Sequence, residues 1–251
     1  MHVHEGKRSL VSNDRMKTFI VYGAFLLLVQ LVGACGPAKE GDGTVQPNAH
    51  TASANGAEPT AEATENKDLV VAFGDSLFAG YGLSRDEGLA PTLERKLAEQ
   101  GKPARVFNAG VSGDTSAAGL QRLAYVLEGL PKKPDLVIVG LGGNDMLRGL
   151  SPDETRKNLT AILDELDRQG IDVVLAGMVA SPNMGRDYAQ AFNPIYTDLA
   201  DRYDVPLYPF ILDGVIGNEQ LLLPDGIHPN SEGVERIVAG IAPAIAKALN
   251  N

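Results

Sequence analysis

From residue 68 onward, short apolar runs alternate with longer amphipathic segments, and this alternation limits the chain to few folds. The apolar runs are rich in Val, Leu and Ile without polar alternation, as in strands covered on both faces: Leu69 to Phe73, Arg105 to Ala109, Leu136 to Leu141 and Val173 to Met178. The other segments predict helices over Leu89 to Gln100, Ala117 to Leu130, Pro152 to Gln169, Asp187 to Tyr203 and Ser231 to Leu249. Strands that alternate with helices pair in parallel, so residues 68–251 are predicted to form one three-layer α/β/α domain with a mostly parallel sheet.

Composition narrows the function classes. The chain of 251 residues has one cysteine, so a disulfide scaffold is excluded and a hydrophobic core must hold the fold. A formal net charge of −10 and the absence of tryptophan make a nucleic-acid partner an unfavourable interpretation. Small uncharged or weakly charged molecules remain possible as substrates.

The first 34 residues have the pattern of a signal sequence. Arg15 and Lys17 precede an apolar stretch from Thr18 to Ala34, which is shorter than the roughly 20 residues of a membrane-spanning helix. The string Val32-Gly33-Ala34-Cys35 resembles the lipobox of bacterial lipoproteins. That resemblance implies a lipidated Cys35 and an outer-membrane lipoprotein that faces the periplasm of a Gram-negative bacterium. A plain signal peptide or a short anchor with an incidental Cys35 is the alternative, and either Met1 or Met16 is the initiator.

Residues 35–67 are predicted to be the lipidated cysteine followed by a disordered linker. Residues 36–67 contain no aromatic residue, leucine or isoleucine, so they cannot bury enough apolar surface to fold. The chain beyond Cys35 is acidic and carries no basic patch for anionic lipid, so membrane attachment is expected through the lipid alone.

Glycine-rich loops with polar side chains follow three of the strands, and a fourth such loop lies near the C-terminus. They are Gly74-Asp75-Ser76-Leu77, Gly110-Val111-Ser112-Gly113-Asp114, Gly142-Gly143-Asn144-Asp145 and Asp225-Gly226-Ile227-His228-Pro229. In parallel sheets, ligands bind at the carboxyl ends of the strands, so these loops are predicted to share one crevice. Together they contain every group that acyl transfer needs: a nucleophile, a base, a group that orients the base, and oxyanion donors.

His228 is the only imidazole of the predicted domain, since His2, His4 and His50 precede it, and it is therefore the candidate base. Ser76 is either the nucleophile or the cap of a helix that follows the first strand. Three groups are candidate donors to an oxyanion: the Ser76 N–H, the N–H of Gly113, which has no side chain to obstruct it, and the Asn144 amide.

These loops resemble the GDSL, or SGNH, family of serine esterases, and in particular the bacterial thioesterase I, lysophospholipase and arylesterase subgroup. The similarity continues through Arg148-Gly149, Ala191-Phe192, Ile195-Tyr196 and Asp204 to Leu207. It implies a flavodoxin-like fold, attack by Ser76, proton transfer to His228, and orientation of His228 by Asp225. Asp213 is the competing carboxylate. The scheme implies no metal and no cofactor.

The resemblance also suggests pocket residues. The loop Val179-Ala180-Ser181-Pro182-Asn183 departs from its thioesterase-like relatives by placing a small Ala180 in the acyl pocket. Met146, Leu147 and Leu150 align with a substrate-covering loop, with core packing as the alternative for each. The carboxylates of Asp75, Asp114 and Asp145 are predicted to hydrogen-bond loop backbone rather than to react.

The predicted substrates are lysophospholipids and aryl or short-chain esters, with thioesters as a further class. The alternatives are a deacetylase of envelope polysaccharide and a tethered binding module without turnover. An α/β-hydrolase elbow is excluded because Phe78 stands at its second glycine, and no complete nucleotide-binding glycine motif is present. The sequence leaves the oligomeric state open.

Overall fold

A computed structural model describes residues 67–250 of the chain. They form five strands and eight α-helices, in the order β1 (Asp68–Gly74), α1 (Ser76–Ala79), α2 (Leu89–Glu99), β2 (Ala104–Gly110), α3 (Ser116–Glu128), β3 (Leu136–Gly140), α4 (Gly143–Leu147), α5 (Pro152–Arg168), β4 (Asp172–Ala176), α6 (Arg186–Phe192), α7 (Pro194–Tyr203), β5 (Leu207–Tyr208) and α8 (Ser231–Ala248). No helix within this range is long and apolar enough to cross a membrane. The predicted signal sequence, Cys35 and all of the linker except Lys67 lie outside the described residues.

The five strands form one parallel sheet in the order β2-β1-β3-β4-β5. This is the flavodoxin-like order, in which the chain leaves β1 first toward one edge of the sheet and then toward the other. The strand order reverses between β1 and β3, so the loops that follow these two strands border a crevice at the carboxyl edge. The predicted α/β/α fold is confirmed, and its topology places the loops of Ser76 and Asn144 side by side.

Helices cover both faces of the sheet. Val70 and Ile138 face a core formed with α2 and α8, whereas Val71 and Val139 face a second core formed with α3, α5 and α7. All four of these side chains are completely buried. Each one stabilises the fold by about 1.5–3 kcal/mol relative to an exposed side chain. The unbroken apolar runs of β1 and β3 therefore reflect burial on both faces, as predicted.

The prediction that every strand is covered on both faces along its length is wrong for β2. This strand lies at the edge of the sheet, and over its first four residues only the face that carries Ala104 and Val106 is covered, by α2. Arg105 and Phe107 on the opposite face are exposed. Ala109 shares the face of Arg105 and Phe107 but is buried in the second core, so β2 is covered on that face only near its carboxyl end.

Two other elements differ from the predictions. The helix expected from Asp187 to Tyr203 is divided into α6 and α7 because Pro194 has no N–H to continue the hydrogen-bond ladder. At the break, the side-chain oxygen of Asn193 accepts the Ala180 N–H at 2.8 Å. The edge strand β5 was not predicted, because two residues are too short for a periodic pattern.

Candidate active site

Ser76 is the first residue of α1, directly beyond the carboxyl end of β1. The cap of this helix is Asp75, whose Oδ1 accepts the Leu77 N–H at 3.2 Å. The interpretation of Ser76 as a cap is therefore wrong, and its hydroxyl is not used by its own helix. The turn is tight because Phe78 packs onto Gly140, where a Cβ would lie 2.1 Å from the Phe78 ring.

His228 joins Ser76 to Asp225 through hydrogen bonds at both ring nitrogens. Its Nδ1 lies 2.7 Å from Asp225 Oδ2, and its Nε2 lies 2.8 Å from Ser76 Oγ. The ionised carboxylate only accepts, so Nδ1 carries the proton and Nε2 is left to accept from the Ser76 hydroxyl. This is the arrangement in which an imidazole takes a proton from a serine.

Asp225 is held as an anion by its own loop. Its Oδ1 accepts the backbone N–H groups of His228 and Ile227 at 3.0 and 2.9 Å. These bonds, followed by the bond to the His228 ring, lower the pKa of Asp225 to about 2. Asp213, the competing carboxylate, is exposed and makes no hydrogen bond to His228.

Asn144 lies on α4, and its amide reaches the loops that follow β1 and β2. Its Nδ2 donates to the Asp114 carbonyl oxygen at 3.0 Å and lies 3.5 Å from Asp75 Oδ2. One amide hydrogen is thus firmly held, whereas the second contact is long and weak. The Asn144 amide therefore lies between Asp75, which precedes Ser76, and Asp114, which follows Gly113.

Gly113 has a left-handed backbone with φ of +86°, which favours glycine at this position. Its carbonyl oxygen accepts from Nη2 of Arg148 at 2.7 Å, so the peptide that follows Gly113 is held from the α4 side. Arg148 belongs to the string Arg148-Gly149 of the family resemblance, but nothing in that string predicts this contact.

The Asp114 side chain does not hydrogen-bond loop backbone, so that prediction is wrong. Its Oδ2 instead pairs with Nε of Arg122 on α3 at 2.6 Å. The same guanidinium donates to the Gly74 carbonyl oxygen at 3.0 Å and lies over the Phe73 ring. Arg122 therefore ties the end of β1 to the Gly113 loop. No sequence signal identified it, because one arginine on an amphipathic helix is usually solvated.

Asp145, the residue after Asn144, is only 1% exposed, and its carboxyl group connects α4 to neighbouring helices. It accepts the Ser116 N–H at 2.8 Å and the hydroxyls of Ser116 and Thr155 at 2.5 and 3.2 Å. The predicted backbone hydrogen bond is confirmed. Since Ser116 begins α3 and Thr155 lies on α5, this buried carboxyl group fixes the helix of Asn144 against two others.

The carboxyl group of Asp75 is buried beneath Ser76, and it accepts backbone as predicted, although from Leu77 in α1 and not from a loop. Burial raises its pKa to about 6, in opposition to the Leu77 N–H and the nearby His228 ring, which both lower it. The negative charge of Asp114 adds to the rise in pKa. Asp75 therefore changes its charge near neutral pH, directly beside the candidate nucleophile.

This pKa predicts how the stability of the protein depends on pH. An aspartate with a raised pKa binds its proton more tightly in the folded state, so the folded state loses stability as pH rises from about 4 to above 6. A rise in pKa of about two units corresponds to about 3 kcal/mol. Asp75→Asn keeps the oxygen that Leu77 needs and cannot titrate. Urea unfolding is expected to show the variant gaining about 3 kcal/mol over wild type between pH 4 and 7.

The exposed residue Asp86 provides the matched control. Asp86→Asn is expected to show no comparable gain over this pH range. A difference between Asp75→Asn and wild type that stays constant with pH would contradict the burial argument.

A cavity of about 510 Å³ opens beside Ser76, Asn144 and His228. Its other walls are mostly apolar side chains, among them Leu77, Leu141, Met146, Leu147, Met178, Val179, Ala180, Ile211, Leu212, Ile216 and Ile227. No lysine or arginine lines it. Its size falls within the range of small-molecule sites, and its lining suits a hydrocarbon chain.

Three of the four residues considered for the pocket line this cavity. Ala180 does so from the loop after β4, and Leu147 does so while remaining 56% exposed. Met146 lines the cavity and also packs in the core with α5, so both interpretations hold for it. Leu150 does not line the cavity, because α4 ends before it and its carbonyl oxygen instead accepts the Tyr188 hydroxyl at 3.0 Å.

Among residues 67–250, no group of three or more His, Cys, Asp or Glu side chains is placed to hold a metal ion. The polar side chains that line the cavity are those of Asp75, Ser76, Asn144, Ser181 and His228, and Asp225 joins them through its bond to His228. Such a set can activate a serine and donate to an oxyanion.

Residues 72–236 match the family model described as the GDSL-like lipase/acylhydrolase family. The chain is 38% identical over 190 residues to esterase TesA of Pseudomonas aeruginosa, an alignment that covers 76% of this chain and 92% of that protein. It is also 38% identical over 184 residues to thioesterase 1/protease 1/lysophospholipase L1 of Escherichia coli, with coverage of 73% and 86%.

A solved structure supports the same relationship. AlinE4, an esterase of the SGNH-hydrolase family, superimposes with a TM-score of 0.63 at 52% sequence identity. The superposition covers 72% of this chain and 96% of AlinE4.

Proposed function

Because the chain belongs to the GDSL-like lipase/acylhydrolase family and is a carboxylic ester hydrolase, we propose that it cleaves carboxylic esters and thioesters through an acyl-enzyme on Ser76. The observation that carries the proposal is the unbroken hydrogen-bond chain from Ser76 Oγ through the His228 ring to Asp225. This chain supports Ser76 as nucleophile, His228 as general base and Asp225 as the group that orients the imidazole.

The reaction proceeds in two half-reactions. Ser76 Oγ attacks the carbonyl carbon as its proton passes to His228 Nε2, and Asp225 stabilises the imidazolium that forms. The tetrahedral intermediate collapses when Nε2 gives that proton to the leaving oxygen or sulfur. A water molecule then attacks the acyl-enzyme, again losing its proton to His228, and the acid leaves as Ser76 regains its hydrogen.

The oxyanion is proposed to accept hydrogen bonds from the N–H groups of Ser76 and Gly113 and from the Asn144 amide. Asn144 supports this role because one of its amide hydrogens has only the 3.5 Å contact to Asp75. That hydrogen is left to donate to the oxyanion, while the other holds the planar amide on the Asp114 carbonyl oxygen. A donor that is already in place does not have to reorganise when negative charge develops.

The lining of the cavity supports an uncharged acyl chain as the group held next to Ser76. We propose lysophospholipids, aryl esters and short-chain esters as substrates. The apolar walls favour these compounds over O-acyl groups of an envelope glycan, whose sugar ring would need polar partners.

Acyl-chain preference is expected to depend on Ala180. Its small side chain lines the cavity and is 8% exposed, so Ala180→Leu fills space next to the acyl chain. We expect kcat/KM for esters with more than about eight acyl carbons to fall several-fold relative to butyrate esters, because one extra large side chain changes the binding of a chain by about 1–3 kcal/mol. Kinetics over a series of acyl lengths measures this change.

Exposed Ala191 on α6 is the matched control, and Ala191→Leu is expected to leave the chain-length profile unchanged. Identical profiles for Ala180→Leu and wild type would contradict a role for Ala180 in the acyl pocket.

Labelling with a fluorophosphonate separates an enzyme from a tethered binding module. The reagent is expected to add one phosphonyl group to Ser76, identified by mass spectrometry of the labelled peptide. His228→Ala is expected to slow labelling strongly, because the hydroxyl then lacks its base. Absence of labelling in the folded wild-type protein would refute the proposed function.

We further propose that the protein is exported by the signal sequence of residues 1–34 and tethered by lipid on Cys35 through the linker of residues 35–67. The first described strand is β1, and its first residue, Asp68, lies at the amino end of the strand, whereas Ser76 follows the carboxyl end.

Mass spectrometry of the mature N-terminus tests the tether. We expect it to begin at a lipid-modified Cys35, with the protein extracted into detergent. Cys35→Ser is expected to release the protein into the soluble fraction with unchanged specific activity, because the cavity does not depend on the anchor. An unmodified Cys35 in the mature protein would contradict the proposal.

A further inference from the structure

Tyr81 lies against the face of the His228 ring. The two ring centroids are 4.4 Å apart, and the ring planes are inclined by 35°. Both nitrogens of His228 are already used in the plane of the ring, Nδ1 by Asp225 and Nε2 by Ser76. Only the two faces of the imidazole ring remain for further interactions, and Tyr81 covers one of these faces.

The contact is built into the element that carries the candidate nucleophile. The Tyr81 N–H donates to the Ser76 carbonyl oxygen at 3.0 Å, across the end of α1. Gly80 takes a left-handed conformation at the end of this helix and so turns the chain into Tyr81. One short helix therefore sets both the hydroxyl that loses a proton and the aromatic ring beside the base that receives it.

Ordinary packing does not account for this tyrosine. The residue is 50% exposed, so only part of its ring is covered by neighbouring side chains. The aromatic ring is the part of the side chain that makes the contact. An aromatic face carries negative electrostatic potential and attracts a cation placed over it.

We propose that Tyr81 is a positioning residue for the base: its ring holds the imidazole between Ser76 and Asp225 and stabilises the imidazolium formed when Ser76 is deprotonated. The inference rests on the proposed role of His228. It concerns a residue that does not touch the reacting carbonyl and acts through His228.

The other charged or titratable groups that face this ring are carboxylates. Asp225 bonds to it from the same loop, and Asp75 acts on it from the start of α1. Both favour the imidazolium when ionised. The effect of Tyr81 is therefore added to two negative charges, and its removal is expected to weaken the base rather than abolish it.

The test compares Tyr81→Phe, which keeps the aromatic face, with Tyr81→Leu, which keeps apolar bulk without it. Hydrolysis of ethyl butyrate by the full-length protein is followed from pH 4 to 9 by chromatography of the released acid. Tyr81→Phe is expected to match wild type. Tyr81→Leu is expected to lower kcat/KM on the plateau about two- to tenfold and to move the acid limb about 0.3–1 pH unit lower.

The direction of the shift follows from the protonation state that reacts. His228 must be neutral to accept the Ser76 proton, so the acid limb records formation of the imidazolium. Loss of a group that favours the imidazolium lets the base stay neutral at lower pH. Because Asp75 also titrates near pH 6, NMR titration of the His228 ring in the same variants assigns the shift to the imidazole.

An acid limb that stays in place in Tyr81→Leu would overturn the inference, whether or not plateau activity falls, since a purely steric role does not change the ionisation of the base. Loss of activity in Tyr81→Phe equal to that in Tyr81→Leu would overturn it too. Ser76→Ala, assayed in parallel, keeps the two proposals apart: full turnover there refutes the nucleophile, whereas an inactive Ser76→Ala with unaltered Tyr81→Leu refutes only the role of Tyr81.

Discussion

Replacing Ser76 with alanine is expected to lower kcat for ester hydrolysis by about 10⁵- to 10⁶-fold, as loss of the nucleophile does in other serine hydrolases. The change removes one oxygen, and with it the bond to His228 Nε2 at 2.8 Å. The helix cap is unaffected because Asp75, not Ser76, accepts the Leu77 N–H. The measurement is turnover of a panel of short-chain, aryl and thioester substrates by both proteins.

Ser84 supplies the control for this change. It lies eight residues along the chain, and its side chain is exposed, so Ser84→Ala is expected to keep wild-type turnover. Thermal unfolding of Ser76→Ala should show an intact fold. Equal rates for Ser76→Ala and wild type on the whole panel would refute the acyl-enzyme mechanism.

The second large effect is expected at Asn144. Asn144→Ala removes the amide proposed to stabilise the oxyanion, and by analogy with other oxyanion-hole variants we expect kcat to fall about 10²- to 10³-fold. KM is expected to change little, since the bond to the carbonyl oxygen strengthens only as that oxygen becomes charged. Full kinetics on one aryl ester separates the two parameters.

The same substitution also removes the hydrogen bond from Asn144 to the Asp114 carbonyl oxygen, so the stability of the variant must be measured beside its activity. Asn183→Ala, at an exposed position near the cavity, is the matched control and is expected to keep its kcat. Full turnover in a folded Asn144→Ala variant would show that the oxyanion is stabilised without this amide.

The positions of the groups replaced in these two variants depend on other side chains, which contact neither the substrate nor the nucleophile. Arg122 joins the Gly74 carbonyl oxygen to the Asp114 carboxylate, and Asp145 joins α4 to the first residue of α3. Both groups lie largely out of water, where a charged hydrogen bond is strong and a lost partner is costly. The precise placement of Gly113 and Asn144 thus rests on Arg122, from α3, and on Asp145, which follows Asn144 on α4.

The sequence alone was enough to predict the α/β/α layers and the four loops that carry Ser76, Gly113, Asn144 and His228. The reason is that strands buried on both faces must be apolar along their whole length, and that polar loops at the ends of parallel strands meet at one edge. The sequence did not predict the one-sided cover of β2, the break at Pro194 or the short strand β5. These features depend on what each element packs against.

Only the tertiary structure decided which polar groups act on one another. Asp75 and Ser76 are adjacent in the chain, and either could have capped α1; the fold gives the cap to Asp75 and leaves the Ser76 hydroxyl to His228, 152 residues later. The pairing of Asp114 with Arg122 and the stacking of Tyr81 on His228 were equally invisible in the sequence. Hydrophobic periodicity records which face of an element is buried, whereas hydrogen bonds and ring contacts depend on distances that exist only after the chain has folded.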